Sequence, residues 1–136
     1  MVLLDTNVVS ELRKGARANA GVQAYFAALD AQHIHLAVQT VGELRRGVEL
    51  IRRRGDTEQA RRLEQWLQEL VESQAARILA FDLDCAQVWG RLMSPDPAHP
   101  VDKQIAAIAL IHDLTVVTRN TADFAGTGVR SHDPFT

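Results

Sequence analysis

Short apolar runs that stop at an acid or a turn alternate with longer stretches in which apolar residues recur every three or four positions. Val2-Leu3-Leu4, ending at Asp5-Thr6-Asn7, reads as a buried strand followed by a helix start. Val8, Val9 and Leu12 carry helical spacing as far as the breaker at Gly15. Val22, Tyr25, Phe26 and Leu29 form the stripe of a second helix. Ile34-His35-Leu36-Ala37-Val38 predicts the second strand. Thr40 opens a long helix through Val41, Leu44, Val48 and Ile51, which Gly55-Asp56-Thr57 interrupts. A further helix carries Ala60, Leu63, Trp66, Leu67 and Leu70 to Ser73. Ile78-Leu79-Ala80-Phe81 is the third strand, and Asp82 caps a helix holding Cys85, Val88, Trp89 and Leu92. Pro95, Pro97 and Pro100 mark a loop from Ser94 to Pro100. Asp102 begins the most apolar helix, Ile105 to Ile111. Leu114 to Thr118 is a strand, Arg119 to Gly128 a loop, and Val129 a last short strand.

Strands alternating with helices predict an α/β fold in three layers, a central parallel sheet with helices on both faces. At 136 residues, without repeats or a linker, the chain is expected to form one domain over residues 1–136. A hydrophobic content of 46% with 24% charged residues is that of a folded globular chain. No apolar stretch approaches the ~20 residues that span a bilayer, so no membrane association is expected. Met1-Val2-Leu3-Leu4-Asp5 carries no basic leader, so no signal peptide is expected. The lone Cys85 fits a reducing compartment, and a cytoplasmic location follows as the expectation. A net charge of −2 excludes a uniformly basic nucleic-acid binder but not an acidic centre with a cationic rim. Arg45, Arg46, Arg52, Arg53, Arg54, Arg61 and Arg62 crowd the middle of the chain.

In parallel sheets, ligands bind beyond the carboxyl ends of the strands. Asp5 ends the first strand, Asp123 follows the fourth, Glu43 opens the helix after the second, and Asp102 opens the helix entering the fourth. Gathered carboxylates repel one another and raise their pKa values. A divalent cation relieves that repulsion, and hard oxygen ligands suit Mg²⁺ or Mn²⁺. Each acid also has a structural reading. Asp5 and Asp102 fit helix N-caps, Thr40-Val41-Gly42-Glu43 fits the S/T-x-x-E capping box, and Asp123 fits an Asx-turn.

Other chemistries find less support. His33, His35, His99, His112 and His132 show no zinc spacing and read as surface or packing residues. Nucleotide-binding glycine loops and a Gly-x-Ser-x-Gly elbow are absent. Cys85 sits among apolar helix positions, as a core residue does. Arg52-Arg53-Arg54 reads as a solvated helix C-terminus.

Leu4-Asp5-Thr6-Asn7-Val8-Val9-Ser10-Glu11-Leu12 resembles the opening of PIN-domain proteins, in particular the VapC and FitB-like toxins of bacterial toxin–antitoxin pairs. Val41-Gly42-Glu43-Leu44-Arg45-Arg46-Gly47 resembles their second motif. Asp102-Lys103-Gln104-Ile105-Ala106-Ala107 resembles the third, D-x-x-I-A-A, and Thr118-Arg119-Asn120-Thr121-Ala122-Asp123-Phe124 the fourth, T-R-N-x-x-D-F. The motifs occur in the family's order, and the resemblance extends through Gly126-Thr127-Gly128-Val129. One departure is the tail, His132-Asp133-Pro134-Phe135, where the family often ends in Asn-Pro-aromatic.

The resemblance implies a PIN fold, Mg²⁺- or Mn²⁺-dependent endoribonuclease activity, and an inhibitory antitoxin. It implies Asp5, Glu43, Asp102 and Asp123 as the acidic site, with Asp5, Asp102 and Asp123 as metal ligands. Thr6, Asn7, Thr118 and Asn120 flank these acids and are expected to support them by hydrogen bonds. Arg46 and Arg119 are expected either to meet the RNA backbone or to pair with site acids. The competing reading is a non-catalytic module that acts with an antitoxin on operator DNA, and the two roles are compatible. A phosphotransferase needing D-x-D is disfavoured by Asn7. Helices richer in apolar positions than one small domain buries predict a homodimer and a partner helix, gripped by a hairpin of the Val41–Ile51 and Leu63–Leu70 stripes.

Overall fold

The alternation along each strand sorts its side chains between two cores. Val2 and Leu4 point to one face of the sheet, with Ile34, Leu36 and Val117 from neighbouring strands. Leu3, Ala37 and Val116 point to the other. A computed structural model describes all residues, Met1–Thr136. Its strands are β1 (Val2–Leu4), β2 (Ile34–Ala37), β3 (Ile78–Leu79), β4 (Thr115–Val117) and β5 (Ser131–His132). They pair in the order β3-β2-β1-β4-β5, all parallel. The last strand lies two residues beyond the expected Val129, which instead packs against the core beneath it.

Six helices cover the sheet: α1 (Thr6–Leu12), α2 (Ala20–Ala27), α3 (Val38–Arg53), α4 (Thr57–Gln74), α5 (Leu83–Met93) and α6 (Pro100–Ile111). Residues Ile105 to Ala109 of α6, with Cys85 of α5, bury themselves against one face. Val8, Val9 and Val22 of α1 and α2 cover the other face, and Leu44, Trp66 and Leu70 from α3 and α4 pack around them. The two stripes expected to form a hairpin do so. Val48, Ala60 and Leu67 make its private core. Arg45 and Arg52 of α3 also both pair with Glu64 of α4. An apolar cleft of about 430 Å³ lies beside α4 rather than inside the hairpin, lined by Leu12, Phe26, Trp66 and Leu70 among others.

Two helix starts differ from expectation. The helix α3 begins at Val38, so Thr40 lies inside it, fully buried, and no capping box forms with Glu43. Pro100 supplies the first residue of α6, as its fixed φ suits, and Asp102 sits in the first turn rather than at the cap. His99 takes the cap position in a left-handed conformation, φ 55°. The chain reverses direction at β1: β2 and β3 build to one side, β4 and β5 to the other. That topological switch point is where an open α/β sheet leaves a crevice at its carboxyl edge.

The tail closes against α2. Asn19 Oδ1 accepts the amides of Gly21, Val22 and Thr136, and Pro134 is buried. A Cβ on Gly21 would collide with the Pro134 carbonyl oxygen, whereas one on Gly47 of α3 meets nothing within 4 Å. Alanine is the better helix former by ~1 kcal/mol. Gly47→Ala is therefore expected to raise the melting temperature, and Gly21→Ala to lower it through overpacking of about 1–3 kcal/mol. Thermal denaturation of the two variants side by side checks the difference in sign.

Candidate active site

Asp5 leaves β1 at the switch point and is almost wholly buried, at 5% exposure. Its Oδ1 accepts the amide of Thr6, 2.9 Å away. Its Oδ2 accepts the Thr118 hydroxyl at 2.8 Å and the Asn7 amide at 3.3 Å. Thr118 follows β4, so this contact bridges the two strands that flank the crevice. Thr118 Oγ1 in turn accepts the backbone amide of Asn120, and Asn7 Oδ1 accepts that of Arg119. The Thr-Arg-Asn turn after β4 is thus tied to α1 through three short polar side chains. Of the four expected supporting residues, Thr6, Asn7 and Thr118 act through side-chain bonds and Asn120 through its backbone.

The other acids arrive from three different elements. Glu43, on the exposed side of α3, accepts the Thr6 hydroxyl at 2.6 Å. Buried Thr40 lies one turn earlier, its Oγ1 3.2 Å from that of Thr6. Asp102 projects from the first turn of α6 three residues before the buried Ile105. Asp123 lies in a single 3₁₀ turn, Thr121–Phe124, pinned by Phe124 in the core. The structure therefore brings Asp5, Glu43, Asp102 and Asp123 to one edge of the sheet, close enough that their charges interact.

Electrostatics records the crowding. Burial pushes the Asp102 carboxyl up to about 6, and the charges of Asp5, Asp123 and Glu43 add to the rise. Burial also raises Asp5 above the ordinary carboxylate range, against the pull of its hydrogen bonds to Thr118 and Thr6. No lysine or arginine lies within 4 Å of any of the four acids. The only basic side chain there is His99, whose Nδ1 is 3.7 Å from Asp102 and Nε2 3.7 Å from Asp123. Arg119 instead lies over the Phe135 ring, 4.8 Å from its centroid, and Arg46 is exposed without an ionic partner. The expected alternative of an arginine paired with a site acid is not what forms.

Sequence reading placed His99 among surface and packing residues and overlooked Lys103. The Lys103 side chain, 7% exposed, turns back over the 94–99 loop. Its Nζ donates to the carbonyl oxygens of Asp96 and Ala98. The only signal in the chain was the pair of prolines bracketing His99 just before the Asp102 motif. A set of oxygen donors that repel one another, without a cationic side chain to neutralise them, fits a hard divalent cation.

The sign of the pH dependence follows from Asp102. Its folded value of about 6 lies above the ordinary aspartate value of 3.8, so the folded chain holds that proton more tightly. Stability from this group is fully present below pH ~4 and is lost as pH rises through about 6. Asp102→Asn cannot ionise and is expected to raise the melting temperature of the metal-free protein at pH 7 by on the order of a few °C. The advantage should shrink toward nothing near pH 4, as paired melting curves across that range would show.

Comparison with known proteins places the chain in a family. The PIN domain family matches residues 2–128. The chain is 37% identical to toxin FitB of Neisseria gonorrhoeae, over 99% of both chains. It is 35% identical to the VapC ribonuclease Y4jK of Sinorhizobium fredii, over 99% of this chain and 98% of that one. The solved structure of FitAB bound to an IR36 DNA fragment superposes with a TM-score of 0.87 at 32% identity, covering 100% of this chain and 96% of that one. With the four-acid edge and the β3-β2-β1-β4-β5 sheet, these likenesses settle its kinship: the chain belongs to the PIN domain family, among proteins of the VapC and FitB type.

Proposed function

We propose that this protein is the toxin of a toxin–antitoxin pair and cleaves RNA by hydrolysis of phosphodiester bonds. The observation that carries the reading is the meeting of Asp5, Glu43, Asp102 and Asp123 with no lysine or arginine to balance them. The name of the VapC ribonuclease relative supports the choice of RNA. Asp5, Asp102 and Asp123 would hold a divalent cation, Mg²⁺ or Mn²⁺. Such an ion would supply Lewis acidity to the attacking water and to the phosphate oxygens.

The chain's own groups do the rest. Thr118, Asn7 and the Thr6 amide fix the Asp5 carboxylate in one orientation, so its lone pairs are aimed before substrate arrives. Glu43, exposed and oriented by Thr6, accepts the proton of the attacking water. The water oxygen bonds to phosphorus, the ester P–O bond breaks, and the leaving oxygen takes up a proton. Arg46, which shares α3 with Glu43, and Arg119, in the turn before Asp123, stand exposed and meet the phosphate backbone of the RNA. Phe135 under Arg119 stiffens that side chain.

The apolar cleft beside α4 takes a helix of the antitoxin, whose side chains at i, i+3, i+4 and i+7 fit such a groove. Phe26, which lines the cleft, is 42% exposed, more than a core aromatic tolerates. The similar FitAB structure is bound to a DNA fragment, which supports a further role for this chain on operator DNA, reached through its antitoxin.

Excess EDTA is expected to abolish cleavage of RNA by the purified chain, and Mg²⁺ or Mn²⁺ to restore it. Asp5→Asn and Asp102→Asn should retain the circular-dichroism spectrum and lose at least about a hundredfold in rate. Undiminished cleavage in EDTA would refute the metal-dependent mechanism. Phe26→Asp should weaken capture of the antitoxin co-expressed from the neighbouring gene without altering cleavage, read by co-purification and light scattering. A variant that binds as well as the parent would move the partner elsewhere.

A further inference from the structure

The acids are accompanied by one nitrogen donor, and it is held in place deliberately. His99, Asp102 and Asp123 each offer one ligand atom, and these three atoms all lie within 4.8 Å of one another. Each imidazole–carboxylate gap is 3.7 Å, too long for a hydrogen bond. Donors about 2.1 Å from a shared cation sit about 3 Å apart when adjacent and about 4 Å apart when opposite. With one nitrogen and one oxygen from each acid the atoms spread over 4.8 Å at most, so a bound cation would draw the side chains in by less than ~1 Å. The imidazole makes no cap bond to the helix it precedes, so capping does not explain its direction.

The backbone on either side is fastened independently of the acids. Lys103 Nζ holds the Ala98 carbonyl at 2.7 Å, and Trp89 Nε1 holds that of Pro100 at 3.0 Å. The His99 carbonyl accepts the amide of Lys103. A ligand positioned by its neighbours loses little entropy on binding an ion.

We infer that His99 is a nitrogen ligand of the cation held by Asp102 and Asp123, and that it biases the site toward Mn²⁺ and Co²⁺ over Mg²⁺. Imidazole suits the later first-row ions, whereas Mg²⁺ favours oxygen donors alone. The inference rests on the carboxylate–cation reading of the site and adds to it the ion the site selects.

The full-length chain, purified free of any partner, would be titrated with Mn²⁺, Co²⁺ and Mg²⁺ by calorimetry. The Mn²⁺-loaded protein would be examined by pulsed electron paramagnetic resonance for nitrogen coupling. His99→Asn is the informative variant, because asparagine tolerates the left-handed backbone there and the side chain is half exposed. It should lose the nitrogen coupling and bind Co²⁺ at least about tenfold more weakly, with Mg²⁺ affinity changed by no more than about twofold. Asp102→Asn should weaken all three ions. Wild-type Mn²⁺ without nitrogen coupling, still lost on Asp102→Asn, would overturn the role of His99 and leave the carboxylate site standing. Failure of wild-type protein to bind any of the ions, or binding indifferent to Asp102→Asn, would overturn both.

Discussion

Like charges brought together in a partly dry crevice repel, and the architecture of this protein is arranged around sustaining that repulsion at one point. The restraint starts at Asp5. Its carboxylate is buried between the ends of β1 and β4 and is fixed by Thr118, Asn7 and the Thr6 amide, so it cannot turn away from Asp102 and Asp123. The other acids are placed by rigid parts too: Asp102 by a helix whose Ile105–Ala109 segment is buried, Asp123 by the core residue Phe124. Side chains on flexible loops would relax apart. These are set on elements whose apolar contacts outweigh the cost of holding them together.

That arrangement explains why the polar supporting residues matter as much as the acids. Hydrogen bonds from Thr118 and Thr6 lower the energy of the ionised Asp5, whereas its burial raises it, and burial prevails. Asp102 has no comparable donors and rises further, to about 6. The site thus contains one carboxylate made stiff by hydrogen bonds and one left electrostatically unsatisfied. The second is the group with most to gain from a cation.

Much of this was legible in the chain because strand ends and short polar residues have local causes. Val2-Leu3-Leu4 before Asp5, and Val116-Val117 before Thr118, are apolar pairs and triplets that only a buried strand satisfies, and the acids or hydroxyls after them fall at its carboxyl end. What escaped depended on contacts from elsewhere. Thr40 fits a capping box in isolation, yet the turn before it is already helical, and its hydroxyl faces Thr6 across the fold. Asp102 fits an N-cap, but Pro100 starts the helix earlier. The strand β5 is defined by pairing with β4 rather than by its own composition, Ser131-His132 being exposed. His99 looked like any surface histidine because what aims it is Lys103 folding back over the preceding loop, a contact no periodicity encodes.

The Asp5–Thr118 hydrogen bond joins residues 113 positions apart, and β1 pairs with β4 across nearly the whole chain. Contacts so distant in sequence carry a large loop-closure cost and form late in folding. During synthesis the N-terminal strand emerges with its acid, but the wall against which that acid is fixed does not exist until β4 has been made. The acidic edge is therefore completed only by the C-terminal part of the chain. The order of the strands in the sheet thus leaves Asp5 without its Thr118 partner until the last fifth of the chain has been made.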